Sequence, residues 1–554
     1  MNNAVSLLLW AGCWGVGGYL LAVAIFALPS RERLPVGLGL GLVAQTFLAN
    51  LLSLVLPVPL SFWVAAFLMP IAGVLLAWPL LVRREGRRFT FPLSQALALA
   101  LLTWVMTAIG RGLAIFDDYQ NVPTVSLMAT GEVPPRFALD PNLRFGYHYF
   151  LLLFAAQMQR LGNLFPWNAL DLARGLLVAL TLLLTYVWVW RMTRSRLAGF
   201  LGAVFAAFSA GARWLLLLLP PGVIESLSSQ VTLIGSGAQT APTLAEALRT
   251  FWGLNGDGPI SFPFAFVSGM KHPLVLSHGG TGAMGNVISM LILILYRRWR
   301  DRRAAAVLAV LLASLALVSE IHFLALFPLL ALAVALHALS HRRAHVPRNA
   351  RRWVIVMSIA LLIALVQGGV ITEIARGLLL RLSGAAERTA YHTFHFAFQW
   401  PPSVVSSHLG VLTLTNPTHL LLVFLEVGVI LLALPLTVAW GMKMLRAQRW
   451  WEAMLIVGMG IGVAATVIHY SGTAGISANA RLFGAFHAPI ALYAFPLTWV
   501  WARGRGQNVR VVAAALGLVA VFGGMLTFGI ELIATQKPQL PTFIHEMDAR
   551  MMKR

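Results

Sequence analysis

Apolar runs of about 20 residues, separated by short polar segments, recur along the whole chain. A helix needs about 20 apolar residues to cross the hydrocarbon core of a bilayer. The pattern therefore predicts an all-α, polytopic transmembrane helical bundle with about fourteen spans. The approximate limits of these spans are 4–28, 36–56, 60–82, 93–113, 168–190, 197–219, 279–296, 304–319, 323–340, 353–373, 417–440, 453–470, 482–501 and 509–533.

The segment 146–163 is treated differently because its apolar run carries Gln157, Gln159 and Arg160. We predict a short amphipathic helix that lies at the outer membrane surface. With this assignment seven short loops fall on one side, and they hold 25 of the 41 Lys and Arg residues. Lys and Arg close to span ends stay in the cytoplasm, so the seven basic loops are predicted to be cytoplasmic.

Composition supports the membrane class and excludes several others. Of the 554 residues, 59% are hydrophobic and 11% are charged, whereas soluble domains have roughly 25% charged residues. The net charge of +22 comes from basic residues scattered over short loops, so no nucleic-acid partner is expected. The single cysteine, Cys13, allows no intramolecular disulfide.

Three long segments face the side opposite the basic loops, and chemistry is expected there because functional side chains concentrate on loops held by a rigid scaffold. We expect three N-terminal spans in 1–92, a transmembrane core in 93–533 and an extracytoplasmic tail in 534–554. The long outer loops of the core are 114–167, 220–278 and 374–416.

The first outer loop begins with two adjacent carboxylates, Asp117 and Asp118, directly after the fourth predicted span. Like charges beside each other can raise one pKa toward the range useful for a general base. The alternative is an Asp pair that ends the span among the lipid headgroups. Further along the same loop, Tyr147 and His148 belong to a Gly-Tyr-His-Tyr motif.

This order of features resembles the GT-C superfamily of membrane glycosyltransferases, which includes protein O-mannosyltransferases and lipid A aminoarabinose transferases. The resemblance covers about residues 93 to 510. It implies a GT-C-like fold, a polyprenyl-phosphate sugar donor, a lipid or glycan acceptor, and Asp117 or Asp118 as the catalytic base or as a ligand of a divalent metal ion. Two features depart from it, since three spans precede the acidic loop and the His-Pro-Pro motif of the mannosyltransferases is absent.

A sugar-phosphate donor requires cations for its leaving phosphate, and an arginine can bind phosphate oxygens bidentately. Arg174 and Arg481 lie at the outer starts of two predicted spans, and both resemble carrier-binding arginines of GT-C enzymes. The alternative for Arg174 is an ion pair with Asp171, three residues earlier. The alternative for Arg481 is snorkelling to the headgroups.

Ionisable groups at membrane depth are candidates for function. Glu320 and His322 lie at a predicted outer turn, where they could hold a metal ion or an acceptor hydroxyl, or cap two helix ends by bonding to each other. Lys271 and His272 could bind anions in the second outer loop. Glu373 and Glu426 are further ionisable residues in largely apolar surroundings.

The resemblance thus implies an inverting glycosyltransferase of the inner, plasma membrane, whose active site faces the extracytoplasmic side. The substrate-binding candidates are Arg174, Arg481, Tyr147, His148, Glu320, His322, Lys271 and His272. A transporter or flippase of a lipid-linked saccharide would use the same arginines but requires inverted repeats and interrupted helices. The remaining alternative is a membrane scaffold protein.

Overall fold

The computed structural model is mostly helical. It describes residues 3–82, 92–112, 118–138, 140–234, 238, 241–249, 269–299, 301–341, 346–384, 396–471 and 475–534. The α-helices in these ranges are α1 Asn3–Phe26, α2 Ser30–Leu52, α3 Leu60–Val82, α4 Leu93–Gly112, α5 Asp118–Thr130, α6 Phe150–Gly162, α7 Pro166–Thr193, α8 Arg196–Phe208, α9 Pro221–Ser228, α10 Leu244–Arg249, α11 Ala283–Leu295, α12 Arg302–Ala316, α13 Glu320–His341, α14 Arg348–Ala364, α15 Gly369–Leu382, α16 Pro417–Val427, α17 Leu434–Arg446, α18 Trp450–Ala464, α19 Gly475–Arg503 and α20 Gln507–Ala534.

Short elements connect some of these helices. The strands form two antiparallel pairs, β1 with β4 and β2 with β3. Their bounds are β1 Phe396–Phe398, β2 Ser403–Ser406, β3 Gly410–Thr413 and β4 Ile468–Tyr470. The 3-10 helices are Arg213–Leu218, Leu274–Gly279, Tyr296–Arg298 and Val429–Ala433.

The protein is a multi-pass membrane protein, but it has fewer spans than predicted. Within the described ranges nine helices are long and apolar enough to cross a membrane, and a tenth span is counted if α14 and α15 form one bent span. The prediction of about fourteen spans is therefore wrong. The predicted spans at 197–219 and 279–296 form α8 and α11, each of 13 residues. At about 1.5 Å per residue these helices reach roughly 20 Å, less than the roughly 30 Å of the hydrocarbon core.

Two further predicted spans fail for the same reason. The regions 304–319 and 453–470 form α12 and α18, each of 15 residues. The predicted span at 417–440 is shifted, because α16 ends before Gly428 and the candidate span is Val429–Arg446, a 3-10 helix continued by α17. Hydropathy averaged over about 20 residues does not register where the backbone leaves the helix.

Residue contacts divide the chain into two compact units. Unit 1 comprises 1–111, 116–187 and 277–391, and unit 2 comprises 112–115, 188–276 and 392–554. In unit 1, α1 packs against both α2 and α3. A Cβ on Gly18 of α1 would collide with the backbone of Gly37 and Gly41 of α2. Small residues let membrane helices approach this closely, and close packing stabilises helices in a lipid environment.

The break between α14 and α15 is bonded to the rest of unit 1 by buried polar groups. The two helices differ in direction by 72° across the break. The carbonyl oxygen of Gln367 accepts hydrogen bonds from Asn50 Nδ2 at 2.8 Å and from the Tyr149 hydroxyl at 3.0 Å. The Gln367 side chain donates to the carbonyl of Ala313 at 2.8 Å. Backbone groups freed at a helix break need such partners in a bilayer.

The predicted short helix after the Gly-Tyr-His-Tyr motif is present as α6, a helix of 13 residues. Most of its side chains, Arg160 and Gln159 excepted, are buried, and it packs against α1, α2 and α5 of the same unit. The helix therefore contributes to the core of unit 1.

In unit 2 backbone hydrogen bonds join three segments of the chain, which lie around residues 211, 270 and 426. The amide of Gly211 donates to the carbonyl of Lys271 at 3.1 Å, and the amide of Ala212 donates to that of Leu425 at 2.7 Å. The amide of Met270 donates to the carbonyl of Glu426 at 3.0 Å. Gly269 has a φ of +46°, and a Cβ there would collide with this Glu426 carbonyl. The segments around 211, 270 and 426 therefore form one rigid junction.

Candidate functional site

An ion pair joins the first residue of α5 to α7 in unit 1. Nη1 of Arg174 donates to Oδ2 of Asp118 at 3.0 Å, and Nη2 donates to Oδ1 at 2.7 Å. The side chain of Asp118 is 16% exposed, whereas that of Arg174 is 1% exposed. A bidentate guanidinium–carboxylate pair has a defined orientation. A buried cation thus holds a partly accessible carboxylate at the start of a helix.

Local features explain this placement. An acidic residue in the first turn of a helix is stabilised by the helix dipole, and Asn121, one turn later, donates its Nδ2 to Asp118 Oδ1 at 3.3 Å. Next to Arg174, a Cβ on Gly175 would lie 2.9 Å from the carbonyl oxygen of Thr103. The glycine therefore lets α7 approach α4 closely at the level of the pair.

Asp171 is the second acidic neighbour of Arg174. Its Oδ1 lies 4.0 Å from Arg174 Nη1, against 2.7 Å for the bond to Asp118. Arg174 therefore contacts both Asp118 and Asp171, and the predicted i, i+3 contact with Asp171 is the longer of the two. Asp117 lies outside the described residues. The described part of this site, which we call the acidic site, comprises Asp118, Asp171 and Arg174 and has one more carboxylate than cations.

The geometry changes the role predicted for Arg174. Asp118 was predicted as a base and Arg174 as a phosphate ligand, but the structure makes them partners of one pair. Both carboxylate oxygens of Asp118 accept from the guanidinium, and Oδ1 also accepts from Asn121, so the second lone pair of Oδ2 is the one that can accept from another donor. The bidentate face of Arg174 is already used by Asp118. In this arrangement Arg174 orients the carboxylate.

Three further predicted residues come together in unit 1. His148 Nδ1 lies 3.7 Å from Glu320 Oε2, and their side chains are 15% and 17% exposed. The ring of Tyr147 packs against that of His148, with 3.6 Å between the centroids. Glu320 is the first residue of α13 and His148 precedes α6. This cluster has an imidazole, a carboxylate and a phenol in partly accessible positions, a combination that can bind hydroxyl groups.

His322 has a close polar neighbour on its own helix turn. Its ring nitrogen lies 2.6 Å from the hydroxyl of Ser319, and the side chain is exposed. Glu320 thus contacts His148, and His322 contacts Ser319.

Arg481, Lys271 and His272 belong to unit 2. Arg481 lies on α19 and is exposed. Lys271 is half-buried, and its ammonium donates to the carbonyls of Ser209 at 2.9 Å and His272 at 2.8 Å. The side chain of His272 is exposed to water at its surface, and the volume around it is filled mostly by protein atoms.

Arg213, which is central to unit 2, was not among the predicted site residues. Arg213 Nε lies 3.2 Å from Glu426 Oε1, and both side chains are 0% exposed. A lone arginine within the apolar run 197–219 was the available signal, because charged residues at such depth are rare and functional. His408 was also missed. Its backbone is held by a hydrogen bond from the amide of Ile234 to its carbonyl at 2.9 Å.

Electrostatics connect four of these groups, which we call the basic cluster: Arg213, Lys271, His272 and His408. Desolvation lowers the pKa of Lys271 to about 8. Desolvation, with the positive charges of Arg213 and Lys271, lowers the pKa of His272 to about 4. Desolvation also lowers the pKa of His408 to about 3, with contributions from Arg213 and His272. At neutral pH the two imidazoles are neutral and Lys271 is charged.

In the described parts of the chain no three His, Cys, Asp or Glu side chains are grouped so that they could hold a metal ion. Comparison of the sequence with protein-family models and with curated proteins finds no match. What is established is a multi-pass helical membrane protein with an acidic site in unit 1 and a basic cluster in unit 2.

Proposed function

We propose that this protein is a membrane glycosyltransferase of GT-C type. It transfers a sugar from a polyprenyl-phosphate carrier to a lipid or glycan acceptor on the extracytoplasmic side of the plasma membrane. The observation that carries the proposal is the Asp118 carboxylate, which a buried Arg174 orients through two hydrogen bonds at the start of α5. A carboxylate positioned in this way is suited to accept a proton from a substrate hydroxyl.

The proposed reaction is a single displacement with inversion. Asp117 or Asp118 accepts the proton of the acceptor hydroxyl while the oxygen attacks the anomeric carbon. The bond from that carbon to the phosphate oxygen breaks, and the carrier phosphate leaves with the bonding electron pair. The leaving phosphate is stabilised by a cation, and a guanidinium suits this role because it binds phosphate oxygens bidentately.

The remaining candidates are assigned to substrate binding. Tyr147, His148 and Glu320 lie in the same unit as the acidic site and present groups that hydrogen-bond to sugar hydroxyls. His322, exposed at the start of α13, is proposed as an additional polar contact.

The test is transfer and hydrolysis of a panel of short-chain polyprenyl-phosphate sugars by the purified full-length protein, with and without a chelator. Asp117→Asn and Asp118→Asn are compared with Asp140→Asn, an exposed carboxylate of the same loop. Loss of a general base lowers turnover about 10²- to 10⁴-fold. We expect such a loss in one of the first two variants, while Asp140→Asn keeps wild-type turnover. Full turnover in both variants, each inserted and folded, would contradict the proposal.

A transporter of a lipid-linked saccharide is the second candidate, because the 72° break between α14 and α15 is the kind of interrupted helix that transporters use. Reconstituted vesicles distinguish the two functions. A transporter moves a fluorescent lipid-linked saccharide across the bilayer without chemical change. A glycosyltransferase converts it, and only when an acceptor is present.

A further inference from the structure

We propose that the exposed face of the β1–β4 sheet in unit 2 docks onto the headgroup layer of the bilayer that the protein spans. This inference does not depend on the glycosyltransferase proposal, since a transporter or a scaffold protein could carry the same surface. It rests on the register of the two strands, on the side chains that they expose and on the level at which the sheet is attached to α19.

The register of the sheet places apolar side chains on one face. β1 pairs with β4 in antiparallel fashion, with Phe396 opposite Tyr470 and Phe398 opposite Ile468. Directly opposite residues, and alternate residues of one strand, point to the same face of a sheet. Phe396, Phe398 and Ile468 therefore share a face, and the rings of Phe396 and Tyr470 meet edge to face with 5.7 Å between their centroids.

The other face of the sheet contacts protein through His469. This side chain is 8% exposed, and its Nε2 lies 3.4 Å from the hydroxyl of Ser403 on β2. The amide of Ser403 in turn donates to the carbonyl of Thr466, just before β4, at 2.8 Å. The sheet is thus fixed to the rest of unit 2 on the side of His469, and the two phenylalanines point the opposite way.

The face that carries the two phenylalanines is apolar and open. Four of its side chains, which we call the aromatic face, are exposed to the following extents: Phe396 57%, Phe398 75%, Ile468 45% and, two residues after β1, Trp400 71%. Contiguous exposed apolar surface marks sites of contact with proteins or membranes. A sugar site would need polar groups placed beside the rings, and these four side chains have one, the indole N–H of Trp400. Their composition therefore favours lipid over a glycan.

The attachment of the sheet to α19 sets its level relative to the membrane. The amide of Tyr470 donates to Asn479 Oδ1 at 2.7 Å, and Asn479 Nδ2 donates to the carbonyl of Tyr470 at 2.9 Å. Asn479 is the second residue of the candidate span Ala478–Arg503. The 26 residues of this span reach about 39 Å at about 1.5 Å per residue, against roughly 30 Å for the hydrocarbon core. The ends of the span therefore lie among the headgroups, and the sheet is held at the level where aromatic side chains concentrate in membrane proteins.

The experiment measures the surroundings of position 398 in the full-length protein, reconstituted into phosphatidylcholine vesicles. Cys13→Ala removes the single native thiol, and Phe398→Cys then carries an environment-sensitive nitrobenzoxadiazole label. We expect lipids brominated near the headgroup end of the acyl chain to quench this label, and aqueous iodide to leave it unquenched. The matched control is Ser407→Cys, an exposed position in the turn between β2 and β3, whose label should be quenched by iodide and not by the brominated lipids.

A second measurement excludes an effect of the label itself. The unlabelled thiols at 398 and 407 are treated with a membrane-impermeant maleimide, which reacts with the thiolate. Because a thiolate forms poorly away from water, the reaction at 398 should be at least about tenfold slower than at 407. Equal rates at the two positions would overturn the proposal.

Two quenching results would also overturn it. Equal iodide quenching at 398 and 407 would show that the aromatic face is open to water. Protection of the 398 label from both iodide and brominated lipid would show that protein, including a second copy of this chain, covers the face.

Discussion

The two units each contain an arginine–carboxylate pair, and the pairs differ in accessibility and in their neighbours. In unit 1 Arg174 is buried, but the Asp118 side chain is 16% exposed and accepts two bonds at 2.7 and 3.0 Å. In unit 2 the side chains of Arg213 and Glu426 are both 0% exposed, and Arg213 Nε lies 3.2 Å from Glu426 Oε1.

The charged neighbours of the two pairs also differ. Asp171 lies beside the Asp118 pair, whereas Lys271 and two histidines lie within electrostatic reach of the Arg213 pair. A carboxylate suits proton transfer or a hydroxyl ligand, and a cation suits an anion. The two arginine–carboxylate pairs therefore lie in different electrostatic surroundings, and three changes test this comparison.

The largest effect is expected from Glu426→Gln. Removing one partner of a fully buried pair leaves an uncompensated charge on Arg213, which costs about 3–5 kcal/mol. Asp118→Asn should cost less, about 1–2 kcal/mol, because water reaches that carboxylate and Asp171 stays near Arg174. The measurement is the free energy of unfolding of both variants in mixed detergent micelles.

The double variant Arg213→Met with Glu426→Leu serves as the control. It removes both charges and should recover most of the stability lost in Glu426→Gln, since replacing a buried pair with apolar residues is often neutral. Equal destabilisation by Glu426→Gln and Asp118→Asn would show that the difference in burial between the pairs has no energetic consequence.

The second effect concerns the pH dependence of Lys271, the cation near the Arg213 pair. Since desolvation lowers the pKa of Lys271 to about 8, its charge is present below pH 8 and is lost above it. An amine reacts with acetic anhydride only in its neutral form, so the acetylation rate of Lys271, followed by mass spectrometry of the full-length protein, should reach half its maximum near pH 8, against about 10.4 for an ordinary lysine. The described charged or titratable groups around Lys271 are Arg213, His272, His408, Glu426 and His487.

His272 and His408 are not expected to produce the same profile. Their pKa values lie near 4 and 3, so these side chains do not titrate above pH 6. Lys271→Arg provides the control, because a guanidinium stays protonated and position 271 should then show no acetylation. A half-maximal rate near pH 10.4 would show instead that Lys271 titrates like an ordinary lysine.

The membrane class and many of the span positions could be predicted from sequence, because hydropathy over about 20 residues is a local property. The number of spans could not. Gly428 and the segment 365–368 interrupt apolar runs that look continuous in composition. The break at 365–368 is stabilised by Asn50, which is 317 positions from Gln367 in the chain, and no local pattern reveals such a contact.

The candidate sites also combine features that the sequence predicts with features that it does not. Asp118 and Arg174 were each identified from residue type and position, but their pairing joins residues 56 positions apart. Arg213 was missed because the run 197–219 is apolar enough to pass as a span, although a lone arginine inside it indicated a special site. The chemistry of single residues could therefore be predicted from the local sequence. The partner of each residue could not, because it depends on tertiary packing.

The smallest effect is expected at the α14–α15 break. The hydrogen bonds there join neutral groups, whereas each of the two pairs joins charged groups. Tyr149→Phe removes a hydroxyl that bonds Asn50 Oδ1 at 2.9 Å and the Gln367 carbonyl at 3.0 Å. A buried neutral hydrogen bond contributes about 1 kcal/mol. We therefore expect a loss of about 1 kcal/mol in the free energy of unfolding, well below the loss in Glu426→Gln.

Tyr147→Phe is the matched control, two residues away, since Tyr147 is half-buried and contacts its neighbours through its ring. Its stability should equal that of the wild type. In the double variant Asn50→Leu with Tyr149→Phe, the losses should not add, with a coupling of about 0.5–1 kcal/mol, because the two side chains share one network. Additive losses, or equal stability of Tyr149→Phe and Tyr147→Phe, would show that this hydroxyl does not hold the break and that packing of α14 and α15 alone does.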